Sequence, residues 1–429
     1  MVSRSAISSS ICVLVLSLGC DNPLNNSRQL PDSGTDLGSN PAPNHLVTEV
    51  SDVPPGKVDM TPPTAEDADA AQQLKLISRG MNVGNYLDQP SNPPKPTQSQ
   101  CAPGAPPQEG ASVGGGKLAG WMFEAIREAG FDNVRITINW NCHTHATDSN
   151  PYEIDKEWFD RIDVLIAHVI TRNMAAIIDI HNFWDYFNGL PDQRAKFISL
   201  WTQIANHYQN YPKQLFFDIL NEPPYGFSDA TWGTDLAAAI QAIRASNPWR
   251  TLIYGGTDYN KAYTLTRITQ YLPTNDTNLI ATVHYYSPYC FTTPPQSWDC
   301  ASYYGTAYAS GMTDVQWPVP EPEAETGDAG DAVAQASENK VKADFDSAAS
   351  IGQQIGRPIY LGEFGASSGP TLTMASRVAY ISAVARAAEA RNMGWANWGF
   401  VNTTFDAWNG TLGWYPQIVE ALTGYIATD

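Results

Sequence analysis

From about residue 72 onward, short apolar runs alternate with longer stretches in which apolar residues recur at every third or fourth position. The short runs end in Gly, Pro or Asn signals and read as buried strands, and the longer stretches read as amphipathic helices. The predicted strands are Lys75–Val83, Asn133–Trp140, Ala175–His181, Leu215–Leu220, Thr251–Tyr254, Leu279–Tyr286, Pro358–Gly362 and Gly394–Phe400. The predicted helices are Leu118–Glu128, Trp158–Thr171, Arg194–His207, Thr231–Ala245, Lys340–Ile355 and Ala375–Arg391. Eight strands with intervening helices suit an α/β fold, a single (β/α)8 TIM barrel with long loops on its catalytic face. A doubly wound open sheet is the alternative. It usually carries a glycine-rich phosphate loop after its first strand, and Arg79-Gly80-Met81-Asn82-Val83-Gly84-Asn85 lacks that spacing.

Two long loops follow strands and so belong to the face where such barrels keep their sites. One runs from Asp88 to Gly115 and is rich in Pro and Gly. The other runs from Ser287 to about Glu338 and contains Glu321-Pro322-Glu323-Ala324-Glu325. The acidic part, Pro318–Ser337, reads as a locally disordered surface insertion.

The N-terminus departs from this alternation. Arg4 precedes an apolar core, Ile11 to Leu18, too short to span a bilayer as a mature helix, and Ser17-Leu18-Gly19-Cys20 follows. This resembles a bacterial lipobox, in which the cysteine is lipidated and becomes the new N-terminus, although Ser17 stands where Leu is usual. The expected organisation is a signal peptide of the lipoprotein type over 1–20, an acidic, Pro-rich disordered linker over 21–70 and a catalytic domain over 71–429. The expected location is the cell surface, the outer membrane or the medium, with the membrane reached only through a lipid on Cys20. Cys101, Cys142, Cys290 and Cys300 then form an even set in an oxidising compartment. Cys290 and Cys300 flank one loop and are paired on that ground, which leaves Cys101 with Cys142.

Charge narrows the partners. A net charge of −19 and a pI near 4.6 argue against nucleic acid and against docking on anionic lipid. A neutral polymer fits, and 13 Trp and 20 Tyr supply flat faces of the kind that stack on sugar rings. No Cys/His spacing resembles a zinc site.

The strand ends carry the chemistry. Glu222 follows Leu215–Leu220 and precedes Pro223-Pro224, and Glu363 follows Ile359-Tyr360-Leu361-Gly362 and precedes Phe364-Gly365. Two carboxylates just past parallel strands are what glycoside hydrolysis needs, one as proton donor and one as nucleophile or base. Arg135 lies on the second strand, His181 ends the third, Asn221 stands beside Glu222, His284 and Tyr286 end the sixth, and Trp398 lies on the eighth. Polar groups inside a barrel are costly unless they satisfy one another, so residues at one end of six strands converge on one place. Asp218 shares the parity of Glu222 and is read as a structural group pointing into the barrel.

In that order, Arg135, His181, Asn221, Glu222, His284, Tyr286, Glu363 and Trp398 resemble the eight hallmark positions of glycoside hydrolase family 5, the large cellulase family of clan A. The resemblance covers roughly residues 75 to 425, and Arg79-Gly80-Met81-Asn82 and His284–Tyr289 look like its endoglucanase branches. It implies retaining hydrolysis of a β-linked polysaccharide, cellulose or a related β-glucan. Glu222 would be the acid/base and Glu363 the nucleophile, supported by Arg135 and Tyr286. Asn221 would hold the sugar 2-hydroxyl, His181 and His284 would orient ligand and carboxylates, and Trp398 would stack beneath the sugar in subsite −1. No cofactor or metal is required, and a monomer is expected. Tyr86, Trp140, Trp184, Tyr225, Tyr259, Trp298, Trp317 and Trp408 are candidates to line the cleft, with Trp184, Trp298 and Trp317 best placed.

The leading function is therefore an endo-acting β-1,4-glucanase. A β-mannanase, xyloglucanase or mixed-linkage glucanase would share the same hallmark residues. A transglycosylase would share the chemistry, and a non-catalytic glycan-binding barrel would share the signal and linker.

Overall fold

The computed structural model describes residues 53–424 except 93–94, 103, 114–115, 293–316, 318–336, 369–371, 402–403 and 411–412. The predicted signal, most of the linker, Trp298, the acidic run 321–325 and the Cys290–Cys300 pairing lie outside the described residues.

Eight parallel strands close into a barrel: β1 (Arg79–Leu87), β2 (Asn133–Ile138), β3 (Ala175–Asp179), β4 (Leu215–Asp218), β5 (Leu252–Gly255), β6 (Leu279–Tyr285), β7 (Ile359–Phe364) and β8 (Gly394–Asn397). Each pairs with its sequence neighbours, and β1 closes on β8. The main helices are α1 (Gly120–Glu128), α2 (Lys156–Ile170), α3 (Gln193–His207), α4 (Asp229–Arg244), α5 (Glu338–Ile355), α6 (Met374–Glu389) and α7 (Pro416–Thr423). Ser228, Ser337 and Thr373 cap α4, α5 and α6 by accepting from Thr231, Lys340 and Ser376 backbone N–H groups. Between β5 and β6, where no helix is predicted, the chain makes only short helical turns.

Strand alternation separates two apolar cores. Outward residues such as Val134, Ile136, Ile178, Phe217, Leu361 and Trp395 pack in one cluster with the helices. Inward residues Ala175, Ile177, Phe216, Ile253, Ile280, Tyr360 and Ala396 form a second cluster, filling the lower barrel. Ala70, Leu74 and Ile77 belong to this second cluster and plug the bottom. Above it the inward positions turn polar, with Asn82, Arg135, Asp179, Asp218, Thr282 and His284 all buried.

The plug corrects one expectation. The first strand is predicted over Lys75–Val83 but runs over Arg79–Leu87, because Leu74–Ile77 form a 3-10 turn. A short apolar run reads the same whether it lines a sheet or stoppers one. Structure also begins before residue 71. Asp67 pairs with Lys213 at 2.9 Å, and Asp69 caps Ala70–Gln73. On the opposite face a Cys101–Cys142 disulfide fastens the loop after β1 to the loop after β2, as expected. Asp185 holds the same loop through Ser99 Oγ and the Gln100 backbone N–H at 2.5 and 2.7 Å.

Ile77 is fully buried. Its replacement by Ala is expected to cost about 2–4 kcal/mol, the usual range for an aliphatic core truncation. Denaturant unfolding should show that loss while KM for substrate is unchanged, since the plug lies at the far end from the polar layer.

Candidate active site

Arg135 is the centre of the polar layer. It projects inward from β2, fully buried, and its guanidinium meets Asp179 at 2.8 Å, Asp218 at 3.0 Å and Glu363 at 2.8 Å. It also donates to Asn221 Oδ1 at 2.9 Å and Asn82 Oδ1 at 3.2 Å. Burial alone would pull its pKa down, but Asp179, Asp218 and Glu363 outweigh that and push it up. Asp179 answers in kind. Burial raises its pKa, Arg135 and His181 together lower it by more, and the net direction is down. For Asp218 burial, reinforced by the charge of Asp179, outweighs Arg135 and His181, so its pKa rises to about 6.

Glu363 ends β7, almost buried. It accepts from Arg135 Nη1 and, at 3.0 Å, from the Tyr286 hydroxyl, so both of its oxygens have strong donors. Burial, reinforced by Glu363 and Glu222, pushes the Tyr286 pKa well up and keeps it a donor.

Glu222 is placed differently. It stands four residues past the end of β4, half-buried, on a backbone with φ +44°. A non-glycine residue in that region is uncommon and strained, and such residues concentrate at functional sites. Among the described residues its ion-pair-range contact is with the ring of His284, whose Nδ1 is 2.7 Å from Glu222 Oε1. Burial raises the Glu222 pKa above its ordinary 4.5, against the weaker pull of His181, Arg135 and Lys261. Burial also drives His284 down to about 3, so its ring is neutral. An oxygen of Glu222, an oxygen of Glu363 and a ring nitrogen of His284 all lie within 4.8 Å of one another. The donors already on Glu363 make this an acid–base arrangement rather than a cation cage.

His181 follows β3. Burial pulls its pKa down, but Asp179 at 2.7 Å and Asp88 at 3.9 Å overturn that and raise it to about 9. Its Nε2 is 3.3 Å from the Asn221 amide nitrogen, and its ring lies parallel to Trp398 with centroids 5.9 Å apart. Trp398 is half-buried, and Gly84 makes room for it, since a Cβ there would come within 2.2 Å of the indole. The structure thus brings Arg135, His181, Asn221, Glu222, His284, Tyr286, Glu363 and Trp398 to one end of the barrel.

The candidate cleft aromatics divide. Trp184 is half-buried, edge-on to Phe187, and Tyr225 is 78% exposed beside Glu222. Tyr259 is half-buried, and burial, then the charge of Glu222, raises its pKa. Trp140 and Tyr86 are core residues; the Trp140 indole donates to the Asp179 carbonyl. Trp317 is also buried, packed on Phe291 and Tyr380, and Trp408 packs among Trp121, Phe400 and Trp414. Loop tryptophans are buried wherever neighbouring helices offer an apolar pocket, and sequence position does not report that. Asp179, Asp88, Asn82 and Asn260 were given no role by sequence reasoning. Asp179 carried a signal, an acid at the inward parity of an apolar strand and in register with Asp218.

Arg135→Met would leave three buried carboxyl groups facing one another. Loss of one partner from a buried ion cluster typically costs 3–5 kcal/mol, and a fall of that order in denaturant stability is expected.

Residues 104–403 match the family "Cellulase (glycosyl hydrolase family 5)". The cellulase/esterase CelE of Acetivibrio thermocellus is 28% identical over 83% of this chain, which spans 40% of that protein's length. Endoglucanase B of Clostridium cellulovorans is 27% identical over 76% of this chain and 67% of its own. The endoglucanase Cel5A structure from Thermotoga maritima superposes with a TM-score of 0.67 at 30% identity, covering 82% of this chain and 99% of that one. The barrel and its polar end therefore have a family: this chain belongs to the cellulases of glycosyl hydrolase family 5.

Proposed function

We propose that the chain is a retaining, endo-acting β-1,4-glucanase that works by double displacement. The observation that carries this reading is the pair of carboxyl oxygens, from Glu222 and Glu363, within 4.8 Å of each other. Retaining enzymes keep their carboxyl groups about 5–5.5 Å apart, whereas inverting enzymes leave roughly 6.5–9.5 Å for a water.

The unlike surroundings of the two acids give them unlike roles. Glu222, with its pKa raised by burial, donates its proton to the glycosidic oxygen as the bond from that oxygen to the anomeric carbon breaks. Glu363 attacks the same carbon from the opposite face and forms a glycosyl ester. Glu222, now ionised, takes a proton from water as the water oxygen bonds to the anomeric carbon and Glu363 leaves. Arg135 and Tyr286 hold the Glu363 carboxylate in line, and Asn221, fixed by Arg135, presents its amide to the sugar 2-hydroxyl. Trp398 forms the floor of subsite −1, and Trp184 and Tyr225 are positioned to meet flanking sugars.

Substrate rests on the relatives. Those reported above are named cellulase or endoglucanase, and the Thermotoga Cel5A has been crystallised with cellobiose, which supports β-glucan. The same enzyme has been crystallised with mannotriose, which supports β-mannan as a second substrate here. The N-terminal apolar segment and Cys20 support export and lipid attachment. Among the described residues no helix is long and apolar enough to cross a membrane.

Reducing-sugar release should be greater from soluble β-1,4-glucan than from β-mannan; the reverse preference would move the substrate. Glu363→Ala should lower kcat by more than about 10⁴-fold, in keeping with loss of a covalent nucleophile, and azide should restore turnover with inverted product. Because Glu222 must be protonated to act, kcat/KM should fall as pH rises through its elevated pKa. Glu222→Gln should remove that alkaline limb.

A further inference from the structure

β5 ends at Gly255, and the next turn carries three consecutive residues in the left-handed region: Asp258, Tyr259 and Asn260, with φ of 56°, 58° and 59°. Three non-glycine residues in that conformation are held only where surrounding structure dictates it. The outcome of the turn is to send the Asn260 side chain back into the barrel, where it is fully buried. Gly255 makes way for it, since a Cβ there would lie 2.0 Å from Asn260 Oδ1. The Asn260 amide nitrogen ends 3.3 Å from Nε2 of His284.

His284 is the ring that faces Glu222. Its Nδ1 looks onto two carboxyl groups, Glu222 at 2.7 Å and Glu363 at 3.6 Å. Arg135, His181 and Asp179 also act on it from β2 and β3, across the barrel. A neutral imidazole has one N–H, and the partner on one nitrogen decides which nitrogen carries it. With the amide N–H of Asn260 on Nε2, the proton is on Nδ1 and is donated to Glu222 Oε1. The carboxyl proton of Glu222 is then left on its other oxygen, free for a leaving group. With the other tautomer, Nδ1 would be a bare acceptor and would take the Glu222 proton as its own hydrogen bond.

We propose that Asn260 is a positioning residue that selects the Nδ1–H tautomer of His284 and so keeps the acid proton of Glu222 directed at the substrate. This rests on the reading of Glu222 as the general acid. Asn260 touches neither substrate nor the reacting atoms; it acts through the ring.

The test uses Asn260→Asp, which keeps size and tolerance of the left-handed backbone but turns the donor into an acceptor. A carboxylate on Nε2 draws a proton there. Glu222 then either loses its proton to a bare Nδ1 or faces an imidazolium that lowers its own pKa. Both outcomes weaken acid catalysis, whose full worth is typically 10²–10⁴-fold. Turnover is measured on aryl β-cellobiosides with a poor leaving group (phenol) and a good one (2,4-dinitrophenol), which needs no protonation. The expected result is a fall in kcat/KM of about 10–100-fold on the phenyl substrate, a fraction of that full worth. The dinitrophenyl substrate should change less than about threefold, and the alkaline limb should move to lower pH.

Asn260→Ala, which removes the donor without adding an acceptor, should show the same selectivity in smaller measure and serves if the Asp variant does not fold. An equal loss on both substrates, or no loss, would overturn the proposal. Glu222→Ala is run beside them. If it too loses both substrates equally, the assignment of Glu222 fails first, and the tautomer proposal falls with it for that separate reason.

Discussion

One guanidinium orders the catalytic end of this barrel. Arg135 is the shared partner of three buried carboxyl groups and two asparagines. Taking that many charges out of water is unfavourable unless each is met by another at good geometry. The planar fork of arginine can meet several at once, where an ammonium would act as a single point. Much of the site is hung from it. Glu363 and Asn221 are fixed directly, and His181 is fixed through Asp179.

This concentration explains how two glutamates in one cleft come to differ. Glu363 lies against the charged hub. Glu222 is paired instead with a neutral imidazole, on a loop backbone rather than a strand. The fold delivers the difference by depth: residues at the strand ends pair with the hub, and a residue four positions further on does not.

Much of this was legible in the sequence. The eight strands and six helices fall close to their expected places because each is a strong periodic segment, and the eight hallmark residues converge because each sits at the same end of its strand. What was not legible was decided by three-dimensional neighbours. Leu74 and Ile77 carry the same apolar signal as a strand yet plug the barrel floor. Trp140 and Trp317 carry the signal of a sugar platform yet are enclosed by core. Asn260 gives no signal at all, since its role arises from a left-handed turn that returns a polar side chain to the interior, and nothing in the local composition predicts that direction.

The backbone at Glu222 has a further consequence. Its left-handed φ is a conformation that glycine or asparagine adopts with less strain than glutamate. Relief of that strain stabilises a fold, and sites held for activity are where folds are commonly less stable than they could be. Selection for folding alone would therefore tend to replace this carboxylate. The barrel would become sturdier and silent, a glycan-holding shell with its cleft intact. Holding a glutamate there costs the fold stability that a glycine or asparagine would return.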